Sequence, residues 1–347
     1  MKGAASGLGA AVLFGLSTPI AKLLLPGSGP FMLAGLLYLG SGLGLLLLAP
    51  LRGTPGEAPL GRDDAVPLLG VVVAGGVVAP LLLMYGLGGL PGSTASLLLN
   101  LEAPFTIALA VLVFGESLAP REALGAGAVV LGGAALGFPG GLGGFQVMSA
   151  LAVAGACVGW ALDNNLSQRL ALHDPVAVVR VKSLAAGTVN VMLALALGER
   201  IPGGTALLGA LVTGLLGYGL SIVLHLRAMR EMGAARQAAF FATAPFAGAC
   251  AAVPLLREHV GLRELGAAMT MAVGVAVMVR ARHGHLHEHE ALEHQHAHVH
   301  DEHHLHEHQD EVAGRHSHLH RHAPMVHDHP HLPDAHHRHA HRRGPVA

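Results

Sequence analysis

Charge is scarce in this chain. Asp, Glu, Lys and Arg make up 12% of its 347 residues, while 52% are hydrophobic and the mean hydropathy is +0.52. Soluble domains carry about a quarter charged residues, so a water-soluble globular protein is excluded and lipid is the implied solvent. The formal net charge is −1, and no segment has the basic excess that a phosphate backbone demands, which excludes a nucleic-acid partner. There are two cysteines, Cys157 and Cys250, both inside apolar runs; they give no disulfide framework and read as small buried hydrophobes. No nucleophile–base pair or phosphate loop stands out, so an enzyme is not indicated. Behind Lys2 the first apolar run lacks an A-x-A-like cleavage site and is long enough to span, so it reads as a retained helix.

What the chain does have is apolar runs. Cutting at charges and Gly/Pro clusters leaves ten: 3–24, 30–50, 66–87, 92–114, 121–138, 147–168, 175–197, 205–226, 233–255 and 262–280. Most are near the roughly 20 residues a spanning helix needs. Prolines lie inside four of them, at Pro19, Pro80, Pro104 and Pro245, which membrane helices tolerate when neighbours satisfy the freed carbonyls. The 48 glycines permit close helix approach. The expectation is an all-α polytopic membrane protein. With the N-terminus inside, ten Lys/Arg (Lys2, Arg52, Arg62, Arg121, Arg169, Arg227, Arg230, Arg236, Arg280 and Arg282) fall at cytoplasmic ends, against four (Lys22, Arg200, Arg257 and Arg263) opposite. Positive charge is enriched inside, so both termini of a ten-span chain in a cell (plasma or inner) membrane are expected to be cytoplasmic.

The runs also repeat. "GSTASLLLNLEAPF" ends at Phe105 and "GAARQAAFFATAPF" at Phe246, 141 residues apart, and the same offset relates Gly92 to Gly233 and Gly125 to Gly266. "FGLSTPIAK" from Phe14 and "WALDNNLSQ" from Trp160 occupy comparable places at a slightly different offset. Two similar halves of five spans must point in opposite directions, because five is odd. Inverted repeats of this kind build the midplane sites of many secondary transporters. The expected organisation is a five-helix repeat over 1–140, a second over 145–280, and a disordered tail over 281–347.

"FGLSTPIAK", "LLLNLEAPFTIALAVLVFGESL" (Leu97 to Leu118) and "WALDNNLSQRLALHDPVAVVRVKSLAAGTVN" (Trp160 to Asn190) resemble the EamA-type branch of the drug/metabolite transporter superfamily. The resemblance covers about residues 3–280. It departs at "LRE" around Glu258, one position out of step with the "FGE" that holds Glu116. It implies a gradient-driven carrier or exchanger of small metabolites. Solute, direction, coupling ion and oligomeric state have no signature in the sequence.

Ionisable side chains near mid-bilayer cost roughly 2.5–3.5 kcal/mol each on insertion scales, so each needs a partner or a task. Glu102 lies halfway along the fourth run between Asn100 and Pro104. Pro104 cannot donate to the carbonyl of Asn100, which leaves an acceptor beside a carboxylate. Carboxyl groups in dry cavities hold their protons more tightly, as a coupling site requires; hydrogen bonds from a neighbouring helix are the plain alternative. The sixth run carries Asp163, Asn164 and Asn165, and the seventh Arg180 and Lys182. A hairpin turning at Ala171–Leu172 would put Asp163 opposite Arg180 as an ion pair. That leaves the amides of Asn164 and Asn165 for a polar solute and Lys182 for an anionic group. Ser183 and Asn190 share a stripe facing a neighbouring helix or the cavity. Glu116 and Glu258 sit at run ends as solvated or interfacial caps. His225 is interfacial.

Twenty-three of the 26 histidines lie beyond Arg280, where "HGHLHEHEALEHQHAHVH" begins at His283. Imidazole suits Zn, Ni, Co and Cu, and His-x-His in extended chain puts alternate rings on one side. The candidate ligands are His283, His285, His287, His289, His294, His296, His298, His300, His303, His304, His306 and His308. The spans offer no comparable set. The tail is therefore expected to be a cytoplasmic metal buffer or regulator on a metabolite carrier for which no cofactor is implied; the alternative is a divalent-metal transporter using the tail to capture ions.

Overall fold

A computed structural model of the chain describes residues 2–49, 60–114, 118–138, 144–167, 170, 173–232 and 234–280, with four stretches of the tail, 283–289, 292–298, 316–322 and 325–331. Among the described residues ten helical rods follow one another up to residue 280. They are α1 (Lys2–Leu24), α2 (Pro30–Leu48), α3 (Ala65–Val71, Val72–Val78 and Ala79–Gly89 end to end), α4 (Gly92–Leu98, Leu99–Leu101 and Glu102–Phe114) and α5 (Pro120–Gly137). Then come α6 (Gly144–Ser167), α7 (Pro175–Ala196), α8 (Gly204–Thr213, Gly214–Leu220 and Ser221–Met232), α9 (Ala234–Phe241 and Ala244–Leu256) and α10 (Leu262–Arg280). Among the described residues nine helices are long and apolar enough to cross a membrane; α5 is the rod left out. Its 18 residues begin with Pro120, Arg121 and Glu122 and carry glycines at 125, 127, 132, 133 and 137, which dilute its apolar character below that of the other runs.

Local chemistry explains the ends. Proline opens α2, α5 and α7 at the first position, where its missing N–H costs nothing. Asp174 caps α7 by accepting from the Val176 N–H at 3.0 Å. The third rod of each half contains a π-helical turn, Val72–Val78 in α3 and Gly214–Leu220 in α8. Such turns turn carbonyls aside from the regular ladder and are frequent at functional sites.

The packing is cross-wise. α1 lies against α8 and α9, while α6 lies against α3 and α4; α2 runs along α7, and α5 along α10. Between apolar helices in lipid the gain comes from close packing rather than from burial out of water. At the α1–α9 crossing a Cβ on Gly248 would stand 2.6 Å from the Gly15 carbonyl oxygen, closer than real side chains come. α4 divides: Gly92–Leu98 packs along Ala244–Leu256 of α9, whereas Glu102–Phe114 packs chiefly on α6. These two helices therefore converge toward the face that bears Lys22 and separate toward the face where the chain begins.

In the tail, His283–His289 pairs antiparallel with Met325–His331, and Leu292–His298 with His316–His322. A tail without regular structure was expected. The strict alternation of residue types, with a period of two, is compatible with extended pairing even where no apolar face drives it.

Candidate functional site

The polar side chains of the apolar bundle gather where α3, α4, α6 and α7 meet. α4 supplies Glu102 from the first residue after its 3-10 turn, Leu99–Leu101. The break has a cause: Pro104 offers no N–H two residues on, and the Cys157 thiol of α6 lies 3.6 Å from the Leu98 carbonyl oxygen and 3.9 Å from that of Leu99. Asn100 turns back on its own helix, donating to the Leu97 carbonyl at 2.9 Å. Glu102 accepts from the Asn164 amide at 2.7 Å.

Next to Asn164, Asp163 forms an ion pair with Lys182 of α7 and accepts from Ser167 at 3.2 Å. The side chains of Lys182 and Asp163 are 16% and 8% exposed. The expected Asp163–Arg180 pair is thus corrected: Lys182 takes the place of Arg180, which has no ion pair among the described residues, and it is Asp163 that occupies Lys182 rather than an outside anion. The reason is geometric. Equal depth was set by residue numbers summing to 343, whereas the observed pair sums to 345. Two residues along a helix are about 200° of rotation, enough to exchange the facing side chain for one on the far side.

The π-helical turn of α3 provides the floor. The Gly75 carbonyl accepts from the Tyr38 hydroxyl at 2.6 Å and from the Trp160 indole N–H at 3.1 Å, and the Gly76 carbonyl accepts from Asn190 at 3.0 Å. Gly75 lies against Asp163, whose Cβ would stand 2.6 Å from any added methyl. Asn165 donates to Ala161 at 2.8 Å and to the Thr106 carbonyl at 3.3 Å, tying α6 to α4. Ser183 meets Ser41 of α2 at 3.1 Å. Asn165, Asn190 and Ser183 therefore face neighbouring helices, and Asn190 keeps one buried oxygen unpartnered.

Of the sequence-predicted residues, Glu102 with Asn164 and Asp163 with Lys182 come together as two neighbouring pairs. Asn165 and Asn190 brace them, and Asn100 sits at the turn beside them. Tyr38, Trp160 and the π turn escaped the sequence reading; the single tryptophan and three tyrosines of the chain were the available signal. His225 is partly buried, bonded to Gln237 at 3.0 Å and set edge-on to Phe241 at 4.7 Å. His173 pairs with Asp64 at 3.1 Å. Among the described residues no three of His, Cys, Asp and Glu converge as a metal site. For His283, His285, His287, His289, His294, His296 and His298 only the backbone is described, while His300, His303, His304, His306, His308 and Glu116 lie outside the described residues.

A helical bundle of apolar spans that carries two carboxylates, an ammonium and an amide on adjoining helices is the build of a polytopic membrane transporter. The comparisons agree. The EamA-like transporter family matches residues 1–137 and again 147–280, and the chain belongs to that family. An "uncharacterized transporter" of Methanothermobacter thermautotrophicus (strain Delta H) is 31% identical over 274 residues, covering 74% of this chain and 79% of its own. A solved structure, described only as the crystal structure of a protein, shares the fold with a TM-score of 0.59 at 21% identity, over 80% of this chain and 98% of its own.

Proposed function

We propose that the chain is a secondary carrier of a small polar solute, working by alternating access between two inverted five-helix halves. The observation that carries this reading is the Glu102–Asn164 contact beside the Asp163–Lys182 pair. Two carboxylates and one ammonium leave a formal charge of −1 when Glu102 is ionised and none when it holds a proton. A site whose charge changes by one at a single carboxyl is suited to exchanging a proton for the polar group of a solute. The repeat supports the inversion: the π turns begin at Val72 and Gly214, 142 residues apart by subtraction, close to the offset of the Ala-Pro-Phe triplets. The cross-wise packing, α1 on α8 and α9 and α6 on α3 and α4, is the pattern two inverted halves produce.

The test is a solute panel on proteoliposomes under an imposed proton gradient. Wild-type protein is expected to accumulate at least one small metabolite, and Glu102→Gln to lose gradient-driven uptake while still exchanging labelled for unlabelled solute. Unchanged gradient-driven uptake by Glu102→Gln removes the coupling role.

The tail we assign as an accessory that binds divalent transition metals, on the strength of its His-x-His spacing. Deleting residues 283–347 is expected to abolish tight zinc binding in calorimetry and to leave solute uptake in place. Zinc or nickel flux that depends on the tail would instead favour metal carriage.

A further inference from the structure

The turn between α3 and α4 is gripped from two sides. Lys22 of α1 donates to the Leu87 carbonyl in the last turn of α3 at 2.6 Å and to that of Leu90, the residue just past it, at 2.7 Å. Glu258, just past the end of α9, accepts from the first amides of α4, Gly92 at 2.5 Å and Ser93 at 2.9 Å, and from the Ser93 hydroxyl at 2.6 Å. A cation thus sits on a helix C-terminus and an anion on a helix N-terminus, each complementing the backbone dipole it faces. α9 delivers the carboxylate by closing on Arg257 in the left-handed conformation, φ 53°, which folds Glu258 back toward α4.

Beneath this grip the α4–α9 seam is polar. Ser93, Ser96 and Asn100 lie three and four residues apart on one stripe of α4, all buried. Ser96 is 0% exposed, has no hydrogen-bond partner for its hydroxyl, and stands 3.0 Å from where a Cβ on Gly248 of α9 would be. A buried hydroxyl without a partner is unfavourable, and water or a solute that reaches it relieves that cost. A second inter-half carboxylate contact at the Lys22 face shows the contrast. Glu199 caps α2 at Phe31 and Met32 (3.3 and 2.7 Å), but the α2–α7 seam below it is shut by Gly35 against Gly187, and its serines, Ser41 and Ser183, satisfy one another.

We propose that Glu258 is a gate residue: its contact with Gly92 and Ser93 latches the α4–α9 seam at the Lys22 face, and its release opens a polar path along Ser93, Ser96 and Asn100 to Glu102. This rests on the carrier reading and adds where one gate lies and what closes it.

The test needs no solute. In a Cys157→Ala, Cys250→Ala background, Ser96→Cys reports the seam, Ser41→Cys the shut seam, and Gly203→Cys, exposed in the α7–α8 turn, marks the Lys22 face. A charged, membrane-impermeant thiosulfonate is applied from each side in turn. Labelling of the Ser96 reporter is expected to be slow with Glu258, faster with Glu258→Gln and fastest with Glu258→Ala. Since charge-assisted bonds are lost, the rise for Ala should be about tenfold or more, and only from the side that labels Gly203→Cys. The Ser41 reporter should stay unlabelled throughout. An unchanged Ser96 rate, or a parallel rise at Ser41, overturns the latch. Solute flux with no labelling response sinks the latch and spares the carrier, whereas a labelling response with no flux of any solute keeps the latch and sinks the carrier.

Discussion

Two charges taken out of water beside lipid are worth keeping only together, and the Asp163–Lys182 pair shows how much rests on a single side chain. Removing one partner of a buried pair strands the other and typically costs about 3–5 kcal/mol, whereas replacing both with apolar groups is often neutral. Lys182→Met is therefore expected to lower the unfolding temperature in detergent sharply, and adding Asp163→Leu to recover most of the loss. Additive single effects would mean that the two charges are not coupled. Tyr38→Phe makes a milder contrast. The Gly75 carbonyl keeps the Trp160 donor when the tyrosine hydroxyl goes, so the cost should stay near 0.5–1.5 kcal/mol, the ordinary worth of one hydrogen bond.

At the scale of the helix, glycine decides which rods touch. A Cβ on Gly274 of α10 would stand 2.6 Å from the Gly125 carbonyl oxygen of α5, and one on Gly125 the same 2.6 Å from that of Gly274. Backbone cannot yield as a side-chain tip can. Gly274→Ala is expected to destabilise by about 1–3 kcal/mol, while Gly266→Ala, with open space around it, should be neutral or gain up to about 1 kcal/mol of helix propensity; thermal scans of the two variants check the difference. These glycines also mark how far the sequence could be read. That the helices approach closely was legible from glycine content, and the offset of 141 related Gly125 to Gly266 as repeat mates, yet the residue Gly125 touches is Gly274. Periodicity along a chain gives depth and face, not the partner across a seam. Asp163 was matched to Arg180 instead of Lys182 for the same reason. Glu102 could be singled out because a carboxylate in an apolar run is conspicuous in itself, whereas its contact with Asn164 could not be read, and the π turn was missed because nothing in "VVAGGVV" separates it from an ordinary apolar helix.

For the whole molecule the open issue is parity, since the number of crossings fixes whether the two ends share a side. Among the described residues nine helices qualify as spans by length and composition, and nine crossings would put the ends on opposite sides. The packing of α5 argues for a tenth. Gly125 meets Gly274 and Met278, and Gly132 meets Ala267 and Met271, so α5 runs antiparallel beside α10 over most of its length. α10 is itself one of the spans, and a rod lying along it in register shares its depth. Its diluted apolarity fits, because Gly125 and Gly132 lie on the face shown to α10 while Leu124, Val130 and Leu131 stay exposed for lipid. In membrane vesicles of one orientation, thiols at Lys2→Cys and at His283→Cys are expected to react with an impermeant reagent from the same side. Reaction from opposite sides would mean that α5 does not cross, so that the halves hold four and five spans, and with that the inversion on which alternating access depends is gone.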